Sequence, residues 1–174
     1  MKQTTFLLFA IAVVAGVVAF AARVSVSADE KGAPAFVTQI PDGYRDWEFI
    51  SVAHEEGQLN DIRAILGNEI AIKAYREDKL PFPEGTIITR LAWNYVPSEQ
   101  NNKVFGRAQS FVPGSATNIQ FIVKDSKKYA ASGGWGFGQF DKDGKPADEA
   151  LLKTCFPCHE KLQGHDLVFT RYVP

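Results

Sequence analysis

The fold is decided by "TIITRLAWNYV" at residues 86–96 and "NIQFIVKD" at residues 118–125, two runs rich in β-branched and aromatic side chains. Such runs, bounded by turn-forming residues, predict β-strands. "KVFGRAQSFV" at 103–112 is predicted as a third strand between them, set off by "PSEQNN" and "PGSAT". Loops this short favour antiparallel neighbours, so the centre of the chain predicts an antiparallel sheet.

Working outward from this centre, the same patterns predict more strands and a few helices. "NEIAIKAYRED" (68–78) predicts a helix with Asn68 as N-cap. "PADEALLKTCFPCHEKL" (146–162) predicts a helix interrupted at Pro157. Further strands are predicted in "YRDWEFISVAH" (44–54), "IRAIL" (62–66) and "DLVFTRYV" (166–173). The predicted fold class is α+β, a mainly antiparallel sheet with a few helices and a C-terminal helix that carries the cysteines.

The beginning of the chain has the pattern of an export signal. Lys2 precedes an apolar run from Phe6 to Ala22, and Val26-Ser27-Ala28 forms a small-residue cleavage site. This predicts a secretory signal peptide over 1–28 and a periplasmic protein, with an uncleaved membrane anchor as the alternative. Residues 29–43 then form an extended lead-in, and 44–174 form the folded domain. With a net charge of −1 and no basic tract, no nucleic acid partner is expected.

"CFPCH" at 155–159 holds both cysteines of the chain, with His159 directly after them. On a helical turn Cys155, Cys158 and His159 share one face. C-x-x-C-H is the attachment signature of a c-type haem, in which two thiols add to the porphyrin vinyl groups and the imidazole binds iron. A thioredoxin-like dithiol lacks its βαβ context here, and zinc bound with His165 would need adjacent Cys-His ligands. We therefore predict one covalent haem c on Cys155 and Cys158, with His159 as its metal ligand.

The sixth ligand of the iron separates an electron carrier from a site that binds small molecules. Met1 is the only methionine and belongs to the predicted signal, so His/Met ligation is excluded in the mature chain. His54 and His165 remain as alternatives, and a five-coordinate iron is favoured over both. The predicted haem contact is Trp135, because its glycine neighbours allow close approach. Other apolar candidates for the pocket or the ordinary core are Phe82, Trp93, Phe105, Phe121, Phe137 and Phe140.

Several motifs, in order from Tyr44 to the C-terminus, together resemble the cytochrome P-460 family, which includes the related cytochromes c′-beta. They are "YRDW" (44–47), "EGTIITR" (84–90), "KDSKKYA" (124–130), "GGWGF" (133–137), "CFPCHEK" (155–161) and "DLVFTRYVP" (166–174). The resemblance implies a β-rich mono-haem fold, usually a homodimer. It also implies either hydroxylamine oxidation or, as in cytochromes c′-beta, binding of NO and other gases.

Two residues matter for choosing between these activities. In hydroxylamine-oxidising members a lysine is cross-linked to a haem meso carbon, and that lysine matches Arg90 here. A guanidinium has no free primary amine, so the same cross-link should not form; Arg90 could instead bind a propionate or an anionic ligand, or be a solvated strand residue. Glu149 lies near the stretch where family members can place a distal carboxylate, and a carboxylate there could move protons. The alternative for Glu149 is an ordinary residue at a surface helix N-terminus.

Three functions follow from these features. The leading prediction is a periplasmic mono-haem cytochrome whose five-coordinate iron binds NO or a similar small ligand. The second is an enzyme that oxidises hydroxylamine or uses peroxide and passes electrons to a partner cytochrome. The third is a bis-histidine electron carrier with His54 as sixth ligand.

Overall fold

The computed structural model describes residues 36–173. Its centre is a five-stranded antiparallel sheet in the order β1-β2-β3-β4-β5. The strands are β1 (Glu48–Glu55), β2 (Asp61–Gly67), β3 (Ile87–Pro97), β4 (Phe111–Lys124) and β5 (Trp135–Asp141). The helices are α1 (Glu69–Arg76), α2 (Glu99–Phe105), α3 (Glu149–Leu152) and α4 (Cys155–His159). The predicted α+β class is confirmed, since each strand pairs with its neighbour along the chain.

The sheet has two covered faces. One face, here called the helical face, packs Ile65, Ile88 and Phe137 against α1, α4 and the C-terminal segment 167–173. On the other face, Leu91, Phe121 and Phe140 pack under the N-terminal segment 36–47 and under Tyr129. Side chains alternate between faces along each strand, so the cross-strand row Ile65, Arg90 and Gln120 lies on the helical face.

The predicted strand over 103–112 is wrong for its first half. Residues 99–105 form helix α2, in which the Ser98 side chain accepts a hydrogen bond from the Asn101 backbone N–H at 3.3 Å. The helix ends at Gly106, whose φ of 67° is the left-handed conformation that glycine adopts without strain. The "PSEQNN" run is therefore a helix start rather than a loop, because its serine satisfies one of the backbone donors exposed there.

The predicted C-terminal strand over 166–173 is also wrong. Asp166 and Leu167 have φ values of 48° and 65°, which no extended strand contains. The segment that follows runs over the helical face and makes a backbone bond from Val173 N–H to the Ile50 carbonyl, at 2.9 Å. The first predicted strand starts later than expected, at Glu48, because Tyr44–Asp46 forms a 3-10 turn.

The predicted helix over 146–162 is broken at a different residue. The break falls at Lys153 and Thr154, and Pro157 lies inside α4. Pro157 is tolerated there because it stands in the first turn, where a backbone N–H has no helical partner to lose.

The glycines of β5 make room on the face opposite α4. A Cβ at Gly136 would overlap the Tyr129 ring, and one at Gly138 would lie 2.6 Å from the Val37 carbonyl oxygen. The alternation in "GGWGFGQF" thus reflects close packing by Tyr129 and the N-terminal segment. Close approach of a haem at these glycines stays a prediction.

Candidate haem site

Helix α4 presents the two cysteines and His159 at the surface of the helical face. Cys155 is half-buried, Cys158 is exposed, and both are free thiols. Burial raises the pKa of the Cys155 thiol, and the neighbouring Arg90 charge partly offsets this rise. The three side chains come from one short helix, as the spacing predicts.

The orientation of His159 is fixed by one hydrogen bond and two rings. Its Nδ1 lies 2.7 Å from the Leu167 carbonyl oxygen. A carbonyl can only accept, so Nδ1 carries the proton and Nε2 keeps its lone pair for a metal. The imidazole packs between Phe137 and Phe169, with ring centroids 4.8 and 4.9 Å away. Burial lowers the pKa of His159 and the Leu167 carbonyl opposes this, so burial favours the neutral, metal-binding form.

The Leu167 carbonyl is in turn positioned by Asp166. The Asp166 carboxylate accepts hydrogen bonds from Lys124 Nζ at 2.8 Å and from the Phe82 backbone N–H at 2.8 Å. Lys124 Nζ also lies 5.0 Å from the centroid of the Trp135 ring. These contacts hold the backbone of Asp166 and Leu167 in the left-handed conformation. Residues other than glycine adopt this conformation only where their surroundings enforce it.

A cleft of about 760 Å³ opens between the sheet and α4. The sheet forms its floor, and α4 with the C-terminal segment forms its wall. Its lining includes Cys158 and His159 from the wall, apolar floor residues such as Ala53, Ile65, Ile88 and Ile122, and the charged residues Glu55, Arg63 and Arg90. A mostly apolar cleft with a few convergent polar groups is typical of a cofactor site.

Of the sequence-predicted site residues, the fold brings Arg90 into the cleft together with Cys158 and His159. Its guanidinium contacts the Asn118 side-chain oxygen and lies 3.9 Å from Asp61. Its Nε is buried and has no hydrogen-bond partner. Burial and the nearby Arg63 charge lower the pKa of Arg90 to about 10, which leaves the guanidinium charged at neutral pH.

Glu149 and Trp135 do not line this cleft. Glu149 is exposed at the start of α3 and pairs with Lys153 at 3.4 Å. Trp135 is fully buried in the core behind α4, packed against Phe82 with ring centroids 5.9 Å apart, and its Nε1 has no partner. A role for either at a haem stays a prediction.

The two alternative histidines are also outside the cleft. His54 is exposed and stacks on Tyr95, with ring centroids 3.9 Å apart, on the sheet face opposite α4. His165 borders a separate cavity beside Tyr75 and Arg171. Of the aromatic candidates, Phe137 contacts His159, and Phe121 borders the cleft although its ring packs against Phe140 on the opposite face. Phe82 is in the core, Trp93 packs on the opposite face, and Phe105 is exposed on α2.

Sequence reasoning missed Asp61, Arg63, Glu55 and Phe169. One signal was available, because Asp61 and Arg63 are opposite charges two positions apart on a strand and so share a face. Their relation to Arg90 depends on the register that pairs Arg63 with Ala92, which the sequence does not specify. Phe169 could not be placed without knowing the backbone turn at Asp166 and Leu167.

These residues fit a covalently attached haem c. Two free thiols and a neutral imidazole with a free Nε2 share one short helix beside the cleft. Each of these groups is of the kind that haem attachment and iron ligation require. Within residues 36–173 the structure contains no helix long and apolar enough to cross a membrane.

The fold and site therefore define a β-rich protein with a c-type haem attachment helix. The sequence profile of the family described as cytochrome P-460 matches residues 41–170. The chain belongs to the cytochrome P-460 family, as its motifs predict. Membership implies a mono-haem c-type cytochrome with covalently bound haem c, and proteins of this family are typically exported. A comparison with curated proteins gives no match.

Proposed function

We propose that this protein is an exported mono-haem cytochrome whose five-coordinate iron, ligated by His159, binds NO or a similar small ligand. The observation that carries the proposal is the composition of the cleft. Among the described residues that line it there is no methionine and no histidine besides His159. An iron held by His159 there would keep one coordination position for an external ligand.

Each residue of the site has a defined part in this function. Cys155 and Cys158 would anchor the haem, and the Leu167 carbonyl holds His159 in the tautomer that offers Nε2. Phe137 and Phe169 restrict rotation of the imidazole by packing on it. When bound, haem c supplies an iron centre that takes up small ligands and changes oxidation state.

Hydroxylamine oxidation is the second candidate, and one residue favours it. The Glu55 carboxylate lines the cleft, is half-exposed, and lies 3.3 Å from Arg63. A carboxylate in this position could accept protons from a bound amine. Against this candidate stands Arg90, which occupies the position of the family's cross-linking lysine and offers no primary amine.

Compartment and assembly complete the proposal. Export to the periplasm rests on the signal pattern over 1–28, which lies outside the described residues. A homodimer, and a redox partner cytochrome in the case of an oxidase, rest on the family resemblance. Size-exclusion chromatography with light scattering of the haem-loaded protein tests the dimer, and its mass and N-terminus test signal cleavage.

The deciding experiment is optical spectroscopy of protein purified from a host with c-type haem maturation. Spectra are recorded oxidised, reduced, and reduced with NO. We expect an ordinary high-spin c-type spectrum that changes on addition of NO. A low-spin spectrum that NO does not change would refute a five-coordinate site, and turnover of hydroxylamine with an electron acceptor would favour the second candidate.

A further inference from the structure

The floor of the cleft contains two guanidinium groups and one buried carboxylate. Arg63 Nε and Nη2 each donate to Asp61 at 2.8 Å, one to each carboxylate oxygen. Asp61 is only 2% exposed. This bidentate geometry is the strongest form of carboxylate pairing, and it balances the charge of Asp61 with that of Arg63.

Arg90 shares the charge of Asp61 with Arg63 and makes no hydrogen bond to that carboxylate. Its nearest carboxylate oxygen is on Asp61 at 3.9 Å, beyond hydrogen-bond distance. Its one side-chain hydrogen bond goes to Asn118, which is neutral. The side chain is only 15% exposed, and the buried Nε–H has no acceptor. The guanidinium borders the cleft at its floor, so its terminal N–H groups can meet an acceptor that enters there.

The other charges facing the cleft do not neutralise Arg90. Glu55 pairs with Arg63 at 3.3 Å and is half-exposed to solvent. Arg171, on the wall, adds a third cation and donates to the backbone carbonyls of Val168 and Phe169. Within the described lining residues, positive charge therefore exceeds negative charge.

Arg90 and the attachment helix border the same cleft, since Arg90, Cys158 and His159 all line it. A guanidinium on the floor of this cleft is positioned to meet a ligand that is held there beside the predicted haem.

We propose that Arg90 makes this cleft an anion-binding site, in which the guanidinium, whose counter-charge on Asp61 is already hydrogen-bonded to Arg63, holds a small anion such as nitrite or azide at the haem. The inference rests on the proposed function, since it assumes a haem in the cleft with an open coordination position. Arg90 would then give the site a preference for anionic over neutral ligands.

The test compares anionic and neutral ligands on the haem-loaded protein. Azide and nitrite are titrated into the ferric form at pH 7, and CO into the ferrous form, with spectral changes as the readout. In Arg90→Gln we expect azide and nitrite affinity to fall about tenfold or more, as loss of a charge-assisted bond implies. CO affinity should stay within about twofold, because a neutral diatomic gains little from a guanidinium.

A second variant tests the same charge without removing the arginine. Asn118→Asp places a carboxylate on Arg90 and should lower azide affinity to a similar extent. Arg76→Gln is the matched control, because Arg76 is an exposed cation paired with Glu48 on the surface. Arg76→Gln changes the net charge by the same amount as Arg90→Gln, and it should leave azide affinity unchanged.

Three results would overturn the anion site. They are azide affinity that is retained in Arg90→Gln, azide and CO affinities that fall together, and a changed midpoint potential with unchanged azide affinity. This last result, a changed potential with unchanged azide affinity, would indicate that Arg90 binds a haem propionate instead of the ligand. A wild-type protein that binds neither CO nor NO would instead refute the proposed function itself, so the two failures are distinguishable.

Discussion

Lys124 Nζ lies 2.8 Å from Asp166 Oδ1 in an ion pair that is almost fully buried. The pair joins the end of β4 to the turn that follows α4, and that turn supplies the carbonyl bound by His159. Through this turn, a contact between two residues 42 positions apart in sequence helps to orient the predicted iron ligand.

Removing one partner of this pair should destabilise the fold strongly. Lys124→Met leaves the Asp166 carboxylate buried without its cation, and we expect the free energy of unfolding to fall by about 3–5 kcal/mol. Urea denaturation of the haem-loaded protein measures this. Lys142→Met is the control, because Lys142 pairs with Asp143 on the exposed surface, and it should not change the unfolding midpoint measurably. Equal losses of unfolding free energy in the two variants would show that the buried ion pair stabilises the fold no more than the exposed one.

The turn at Asp166 and Leu167 should also influence the reduction potential of the haem iron. In Asp166→Ala the Leu167 carbonyl loses its anchor, and the hydrogen bond from His159 Nδ1 should weaken. A donating Nδ1–H makes the imidazole a more basic ligand and favours ferric iron. We therefore expect the midpoint potential to rise, measured by spectroelectrochemistry, with Asp143→Ala as control. An unchanged or lowered potential would contradict this role of Asp166.

Because residue 90 is an arginine, we expect the porphyrin macrocycle of the haem to carry no cross-link at this position. Because a guanidinium lacks the free primary amine of lysine, no bond to a haem meso carbon should form. The ferrous Soret band should stand at an ordinary c-type position, and the mass should equal that of the chain plus one haem. A Soret band shifted far to the red would mean a modified macrocycle and would make the oxidase the leading function.

His54 should not be a ligand of the iron. Its ring stacks on Tyr95 on the sheet face opposite α4, so His54→Ala should leave the ferric spectrum high-spin and unchanged. His159→Ala is the counterpart and should lose the ordinary axial-ligand spectrum. A change of spin state in His54→Ala would support the bis-histidine carrier.

The glycines of β5 allow a stability test away from the haem. In Gly136→Ala the new methyl group would overlap the Tyr129 ring, which should destabilise the protein by about 1–3 kcal/mol through overpacking. Gly164→Ala is a matched control, because no heavy atom lies within 4 Å of the added Cβ. Thermal unfolding compares the two, and similar melting temperatures would show that Tyr129 moves aside at little cost.

The sequence predicted much of the fold, because strand patterns and the Asn68 cap are local signals. The Asn68 side chain does accept from the Ala71 backbone N–H, at 3.0 Å. Helix α2 was missed because "KVF" favours a strand by composition, whereas the Ser98 cap upstream favours a helix. Spacing alone indicated that Cys155, Cys158 and His159 lie on one helix, as they do in α4. The Asp61–Arg90 cluster was not, since strand register and the turn at Leu167 depend on tertiary contacts.

Both outer strands of the sheet are partly covered by the chain's own end segments. Val173 bonds to Ile50 on β1, and Val37 N–H bonds to the Phe137 carbonyl on β5 at 3.0 Å. Uncovered edge strands can recruit strands from other molecules. Shortening either segment would therefore expose hydrogen-bonding groups that favour aggregation, so both segments also protect the edges of the sheet.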